Sequence, residues 1–138
     1  MTVFLTGATG FVGGALARSL VAAGHVVRAI VRSPEKARDL AGLGVEIHPG
    51  DITEKDSMRQ PMTGVDGVYH VAGWYKVGVR DTSDAVRINI DGTRHVLELA
   101  SELRIPRTVY TSTLAVNSDT RGRVVDESYR FGGRHLTV

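Results

Sequence analysis

Thr6-Gly7-Ala8-Thr9-Gly10-Phe11-Val12-Gly13 says more about the fold than any other stretch of this chain. It leaves a short apolar run, residues 2–5, and opens a helical pattern over residues 11–23, with Val12, Leu16 and Leu20 four apart until Gly24 stops it. Gly7 can take the backbone angles of a tight turn that other residues resist. Gly10 puts no side chain between the backbone and a pyrophosphate, so the amides of the first helical turn can reach its oxygens. Gly13, three residues on, lets the helix lie close to the strand. The spacing is G-x-x-G-x-x-G, one residue longer in its first turn than G-x-G-x-x-G, but a strand before it and a helix after it supply the context that the motif requires.

On both sides of this turn, short apolar runs alternate with helical ones. Residues 26–31, 45–48, 67–71 and 107–111 read as further strands. Residues 34–41 read as a short helix with Pro34 in its first turn, and 54–60 as a weak helix ended by Pro61. The longest helix spans 83–103: Val86, Ile90, Thr93, Leu97 and Ala100 form its stripe, widened by Val96, Leu99 and Leu103. Beyond Asn117 the chain turns polar and predicts no element. Such alternation, joined by right-handed crossovers, predicts an α/β fold of Rossmann type: a doubly wound parallel sheet in the order 3-2-1-4-5 with helices on both faces. The whole chain, residues 1–138, reads as one dinucleotide-binding domain. In this topology ligands bind outside the carboxyl ends of the strands.

Composition excludes several other classes. The 138 residues contain no cysteine, so neither a disulfide framework nor a thiolate metal site is possible. The five histidines, His25, His48, His70, His95 and His135, show no metal-ligand spacing, and no metal is expected. A formal charge of +2, with both signs interspersed, gives no basic tract for nucleic acid or anionic membrane. The N-terminal residues enter a strand pattern directly, unlike a signal peptide, and no apolar run approaches the ~18 residues of a membrane span. A cytoplasmic location is the expectation.

The end of the second strand bears on the cofactor. An NAD site usually carries Asp or Glu there, about twenty residues past the glycine turn, to bind the ribose hydroxyls. Here Arg32 stands at that point, with Lys36 and Arg38 just beyond. A guanidinium pairs with a 2′-phosphate where a carboxylate repels it, so NADP is favoured over NAD.

With these residues in view the chain resembles the extended short-chain dehydrogenase/reductase family, the superfamily of the NAD-dependent epimerases and dehydratases. Gly50-Asp51-Ile52 resembles that family's adenine-binding segment, which implies that Asp51 accepts from the adenine amino group and Ile52 packs on the ring. His70-Val71-Ala72-Gly73 is similar to the segment along the ribose and nicotinamide side. Ile88-Asn89-Ile90-Asp91-Gly92-Thr93 resembles the patch in which the asparagine organises the active site. Tyr110-Thr111-Ser112-Thr113 resembles the segment ending in the catalytic serine. That serine's place falls on Thr113, with Ser112 as the alternative, and threonine keeps the hydroxyl the role requires. The run Val27-Arg28-Ala29-Ile30-Val31-Arg32-Ser33-Pro34 is similar to the second strand of the dihydroflavonol-4-reductase-like group.

This resemblance implies hydride transfer from NADPH to a ketone or aldehyde, with Trp74 and Tyr75 as candidates to line the pocket of a small-molecule substrate. It also implies a homodimer of the intact protein through the long helix. The family further uses Tyr-x-x-x-Lys, the tyrosine as proton donor and the lysine to lower its pKa. Tyr129 is followed four residues later by Gly133, and Tyr110 by Leu114, so neither qualifies. Val125-Asp126-Glu127 resembles the loop that precedes this motif. The expectation is therefore a partial chain, ending short of the motif, that binds nucleotide poorly and catalyses nothing alone. Alternative readings are a sugar-nucleotide epimerase or dehydratase holding NAD, a hydroxysteroid dehydrogenase, and a non-catalytic dinucleotide sensor.

Overall fold

The computed structural model describes residues 1–76, 78 and 80–133; among the residues named above, His135 lies outside them. Strands β1 (Thr2–Thr6), β2 (Val26–Val31), β3 (Glu46–Pro49), β4 (Gly67–His70) and β5 (Thr108–Tyr110) form one parallel sheet in the order β3-β2-β1-β4-β5, as the sequence predicts. Alternate residues of β1 feed opposite faces. Phe4 joins Ile30, Met58, Met62, Val68, Val96 and Leu99 on one side, while Val3 and Leu5 join Ala17, Leu20, Val27 and Leu40 on the other. A strand buried on both faces explains why residues 2–5 are nearly all apolar instead of alternating with polar ones.

Helix α1 (Phe11–Ala22) turns Gly13, Gly14, Ala17 and Leu20 inward. The expected row through Val12 is displaced, for Val12 is 55% exposed. The reason is proximity: a Cβ on Gly13 would lie 2.1 Å from the Gly7 carbonyl oxygen. Small residues, not large apolar ones, therefore face the sheet. A 3-10 turn at Pro34–Ala37 leads into α2 (Arg38–Gly42).

Pro61 does not end α3 (Lys55–Met62) but sits buried in its last turn, where it forfeits only one backbone bond. On the solvent side, Lys55 pairs with Glu98 and Glu102, and Arg59 with Glu102, tying α3 to the long helix.

That long helix is continuous but not uniform. It comprises α4 (Ser83–Ala85), a π-helical stretch Val86–Gly92, and α5 (Thr93–Glu102). Of the expected stripe, Val86, Ile90 and Leu97 are largely exposed, whereas Ala100 and the widening residues Val96 and Leu99 are buried and Leu103 packs beside them; Gly92, outside that stripe, is buried too. The wider π turn rotates the helix register, and a stripe drawn at uniform helical spacing cannot track that rotation.

Gly13→Ala tests the close approach of α1. Backbone stands on the far side of the missing Cβ, so the cost falls at the upper end of overpacking, about 3 kcal/mol. Gly42→Ala, with nothing within 4 Å of its added Cβ, is the control and leaves the urea midpoint unchanged or slightly raised. Equal midpoints for the two variants would contradict the packing described.

Candidate dinucleotide cleft

The glycine turn is built by contacts too short for side chains. Gly7 has φ +75°, and a Cβ there would meet the Ala72 amide nitrogen at 2.7 Å. The end of β1 therefore touches the segment that leaves β4. Gly10 donates to the Gly7 carbonyl at 3.0 Å and caps α1 through its backbone; among the described residues no side-chain cap forms there, and the first turn holds no acidic residue. The amides of the first helical turn have no partner within the helix. They form a positive, uncapped edge that fits an anionic group such as pyrophosphate. Phe11, at the opening of this helix, is 96% exposed.

Arg32 comes directly after β2 and is exposed, as is Lys36. The Gly50 amide bonds the Val31 carbonyl at 3.0 Å, which brings the 50–52 segment beside this cationic strand end. Asp51 folds back on its own turn: its Oδ1 accepts from the Thr53 amide and the Thr53 hydroxyl, both at 2.9 Å. Ile52 is only 7% exposed and belongs to the core, against Gly92. Its side chain is taken up by packing in the core, not presented at the surface.

Three residues that the sequence does not visibly connect hold the strand ends in place. The Thr6 hydroxyl accepts from the amides of Val71 and Ala72, both at 3.1 Å. Its one proton is then left for His70 Nδ1, at 2.7 Å. Nδ1 must accept, so the proton of neutral His70 sits on Nε2 and is donated to the Thr93 hydroxyl at 2.9 Å. His70 is fully buried and stacks on Tyr110 with 5.4 Å between ring centroids. Thr6 shows in sequence only as a polar residue ending an apolar strand, and Thr93 only as one position in a stripe. Neither signal names a histidine partner.

Asn89, on the π-helical stretch, holds the next segment by both ends of its amide. Its Oδ1 accepts from the Trp74 amide at 2.7 Å and its Nδ2 donates to the Trp74 carbonyl at 2.8 Å. Gly73 is exposed, Trp74 half-buried and Tyr75 90% exposed. At β5, the Thr111 amide bonds the His70 carbonyl at 2.9 Å, so Thr111 adjoins Val71 at the strand ends. Ser112 and Thr113 are exposed, and Thr113 Oγ1 caps the adjoining 3-10 turn, Leu114–Asn117, by accepting from the Ala115 amide at 3.2 Å. An open concavity lies further along, between that turn and residues 125–131, rather than at the glycine turn. Tyr129 there bonds the Asp119 carbonyl at 3.4 Å and lies under the Arg123 guanidinium. Among the described residues no cluster of His, Asp and Glu is suited to a metal, and no helix is long and apolar enough to cross a membrane.

Burial lowers the His70 pKa from 6.5 to about 4. Between those values the unfolded chain binds the proton and the folded chain resists it. The stability tied to neutral His70 is therefore full above pH 6.5 and drains away as the pH falls through 4, by about 3 kcal/mol in all. The imidazole resonances of His70 should remain those of the Nε2–H form down to about pH 5. Ordinary titration near 6.5 would contradict the tie.

Comparison with known proteins agrees with this geometry. The sequence model of the NAD dependent epimerase/dehydratase family matches residues 3–131. A Synechocystis sp. protein provisionally named dihydroflavonol 4-reductase is 40% identical over 128 residues, 92% of this chain and 37% of the relative. The 4-hydroxy-2-methyl-3-oxo-4-farnesyl-3,4-dihydroquinoline-1-oxide ketoreductase of Stigmatella aurantiaca is 38% identical over 130 residues, 94% of this chain and 39% of its own. In fold, UDP-glucose 4-epimerase from Bifidobacterium longum, solved with NAD+ and UDP, superposes with a TM-score of 0.85 at 22% identity, over 96% of this chain and 43% of the epimerase. The chain thus spans about two fifths of the length of these relatives. It belongs to the NAD dependent epimerase/dehydratase family, the extended short-chain dehydrogenases/reductases.

Proposed function

We propose that the intact protein is an NADPH-dependent oxidoreductase that passes hydride to a ketone or aldehyde, and that this chain is its cofactor-binding part. The observation that carries the reading is the uncapped, acid-free first turn of α1 above three closely packed glycines, with an arginine at the end of β2. Carbonyl reductases among the relatives, the Stigmatella ketoreductase and a 2-alkyl-3-oxoalkanoate reductase of Shewanella oneidensis, support the direction of the chemistry.

When bound, NADPH supplies the hydride. The residues of this chain hold and orient. Amides at Phe11, Val12 and Gly13 take the pyrophosphate, with Gly10 leaving room for it and Thr9 beside them. Arg32 and Lys36 take the 2′-phosphate, and Asp51 accepts from the adenine amino group. Val71, Ala72, Gly73 and Thr111 lie along the ribose and nicotinamide side. The hydroxyl of Thr113, or of Ser112, donates to the substrate carbonyl oxygen and polarises it. Asn89 fixes the backbone of Trp74, which with Tyr75 borders the substrate. The proton for the carbonyl oxygen is assigned to a tyrosine of the remaining sequence, since none here has a lysine four residues on. The exposed row Val86, Ile90 and Leu97 is the surface for the proposed homodimer.

The test is a fluorescence titration of the intact protein and an Arg32→Glu variant with NADPH and NADH. A charge-assisted pair with the 2′-phosphate amounts to roughly tenfold or more in affinity. Wild type should prefer NADPH by that factor, and the variant should lose the preference. Equal or tighter NADH binding by wild type would sink the NADP assignment and favour an NAD-holding epimerase, the activity named for the Bifidobacterium relative.

A further inference from the structure

The π-helical stretch meets the 51–53 turn at one corner of the cleft. Gly92 has no room for a Cβ, which would lie 2.8 Å from the Ile52 side chain. One turn on, His95 Nδ1 lies 3.0 Å from the Ile52 carbonyl, to which it donates. Arg87 adds a charged connection. Its guanidinium pairs with Asp84 at 2.8 Å and makes a long contact of 3.5 Å to Thr53 Oγ1. That hydroxyl donates its own proton to Asp51 Oδ1 at 2.9 Å, so toward Arg87 it can only accept. The order Asp84, Arg87, Thr53, Asp51 is therefore a directed chain that ends on a carboxylate with one oxygen committed to its own turn.

We propose that Arg87 is a positioning residue for adenine recognition: acting through Thr53, it fixes the Asp51 carboxylate so that Oδ2 faces the adenine amino group. The inference rests on the dinucleotide reading above and deepens it. Oδ1 takes two donors from Thr53, and the Arg87 guanidinium meets the Thr53 hydroxyl from its other side, so the turn holds the carboxylate in one orientation. An ionised carboxylate accepts from an exocyclic amino group and repels the carbonyl oxygen that replaces it in hypoxanthine. The preference for adenine over hypoxanthine is therefore the property that Arg87 controls. Asn89 lies two residues further along the same stretch and holds Trp74, so one short segment sets both the adenine end and the substrate end of the cleft.

The experiment uses the intact protein, with NADPH, its hypoxanthine analogue and reduced nicotinamide mononucleotide, which lacks the adenosine half. Wild type should bind NADPH roughly tenfold tighter than the hypoxanthine analogue, the scale of one hydrogen bond with a charged acceptor. In Arg87→Met that ratio should fall to about twofold or less, while affinity for the mononucleotide stays the same. Arg94→Met, which removes a comparable pair with Asp91 on the same helix, should keep the full ratio. An Arg87→Met protein that keeps the wild-type ratio overturns the proposal. Wild type that binds both dinucleotides equally removes Asp51 as the adenine acceptor, and the proposal with it. Wild type that binds neither dinucleotide refutes the cofactor reading itself, a separate failure.

Discussion

The Gly7 carbonyl and the Cα of Gly13 stand so close that no side-chain atom fits between them, and a side chain on Gly7 would likewise run into the amide of Ala72. These backbone contacts fix where α1 begins, how near it lies to the sheet and where the chain emerges from β4. Everything proposed for the cleft lies around them. A helix held that close presents its first amides to the strand ends, and with no acidic residue in its first turn that edge attracts an anion.

The contact alone would leave the strand ends free to shift. Thr6 and His70 prevent this by making β1 and β4 share hydrogen bonds beyond the last rung of the ladder. Thr93 extends the tie to the long helix through His70 Nε2. The arrangement requires a neutral imidazole. Burial supplies that neutrality, and the one proton on the Thr6 hydroxyl sets the tautomer. A polar group taken fully out of water is tolerated here because both ring nitrogens have partners.

Much of this was legible in the sequence. The strand order could be read from short apolar runs separated by helical ones, because a parallel sheet buries both faces of its strands. The glycine turn was legible because strand and helix flank it. The inward face of α1 was not, since hydrophobicity pointed to Val12 whereas closeness selected Gly13 and Ala17. The row Val86, Ile90 and Leu97 failed for another reason: a π turn leaves no mark in the apolar period yet rotates the helical residues beyond it. The Thr6–His70–Thr93 tie was invisible because it joins residues 64 and 23 positions apart, which only the crossover topology brings together. Asn89 and the Trp74 loop were each singled out, but the double hydrogen bond between them appears only in three dimensions.

The uncapped start of α1, and not the open concavity near residues 125–131, is the proposed seat of the ligand. Amide nitrogen–proton spectra of the protein titrated with 2′,5′-ADP separate the two places, since this ligand carries the adenosine and 2′-phosphate without the nicotinamide. The largest shifts are expected at Gly10 to Gly13, at Arg32 and at Asp51, saturating together. Shifts confined to the segment between Leu114 and Phe131, or absent throughout, would contradict that placement.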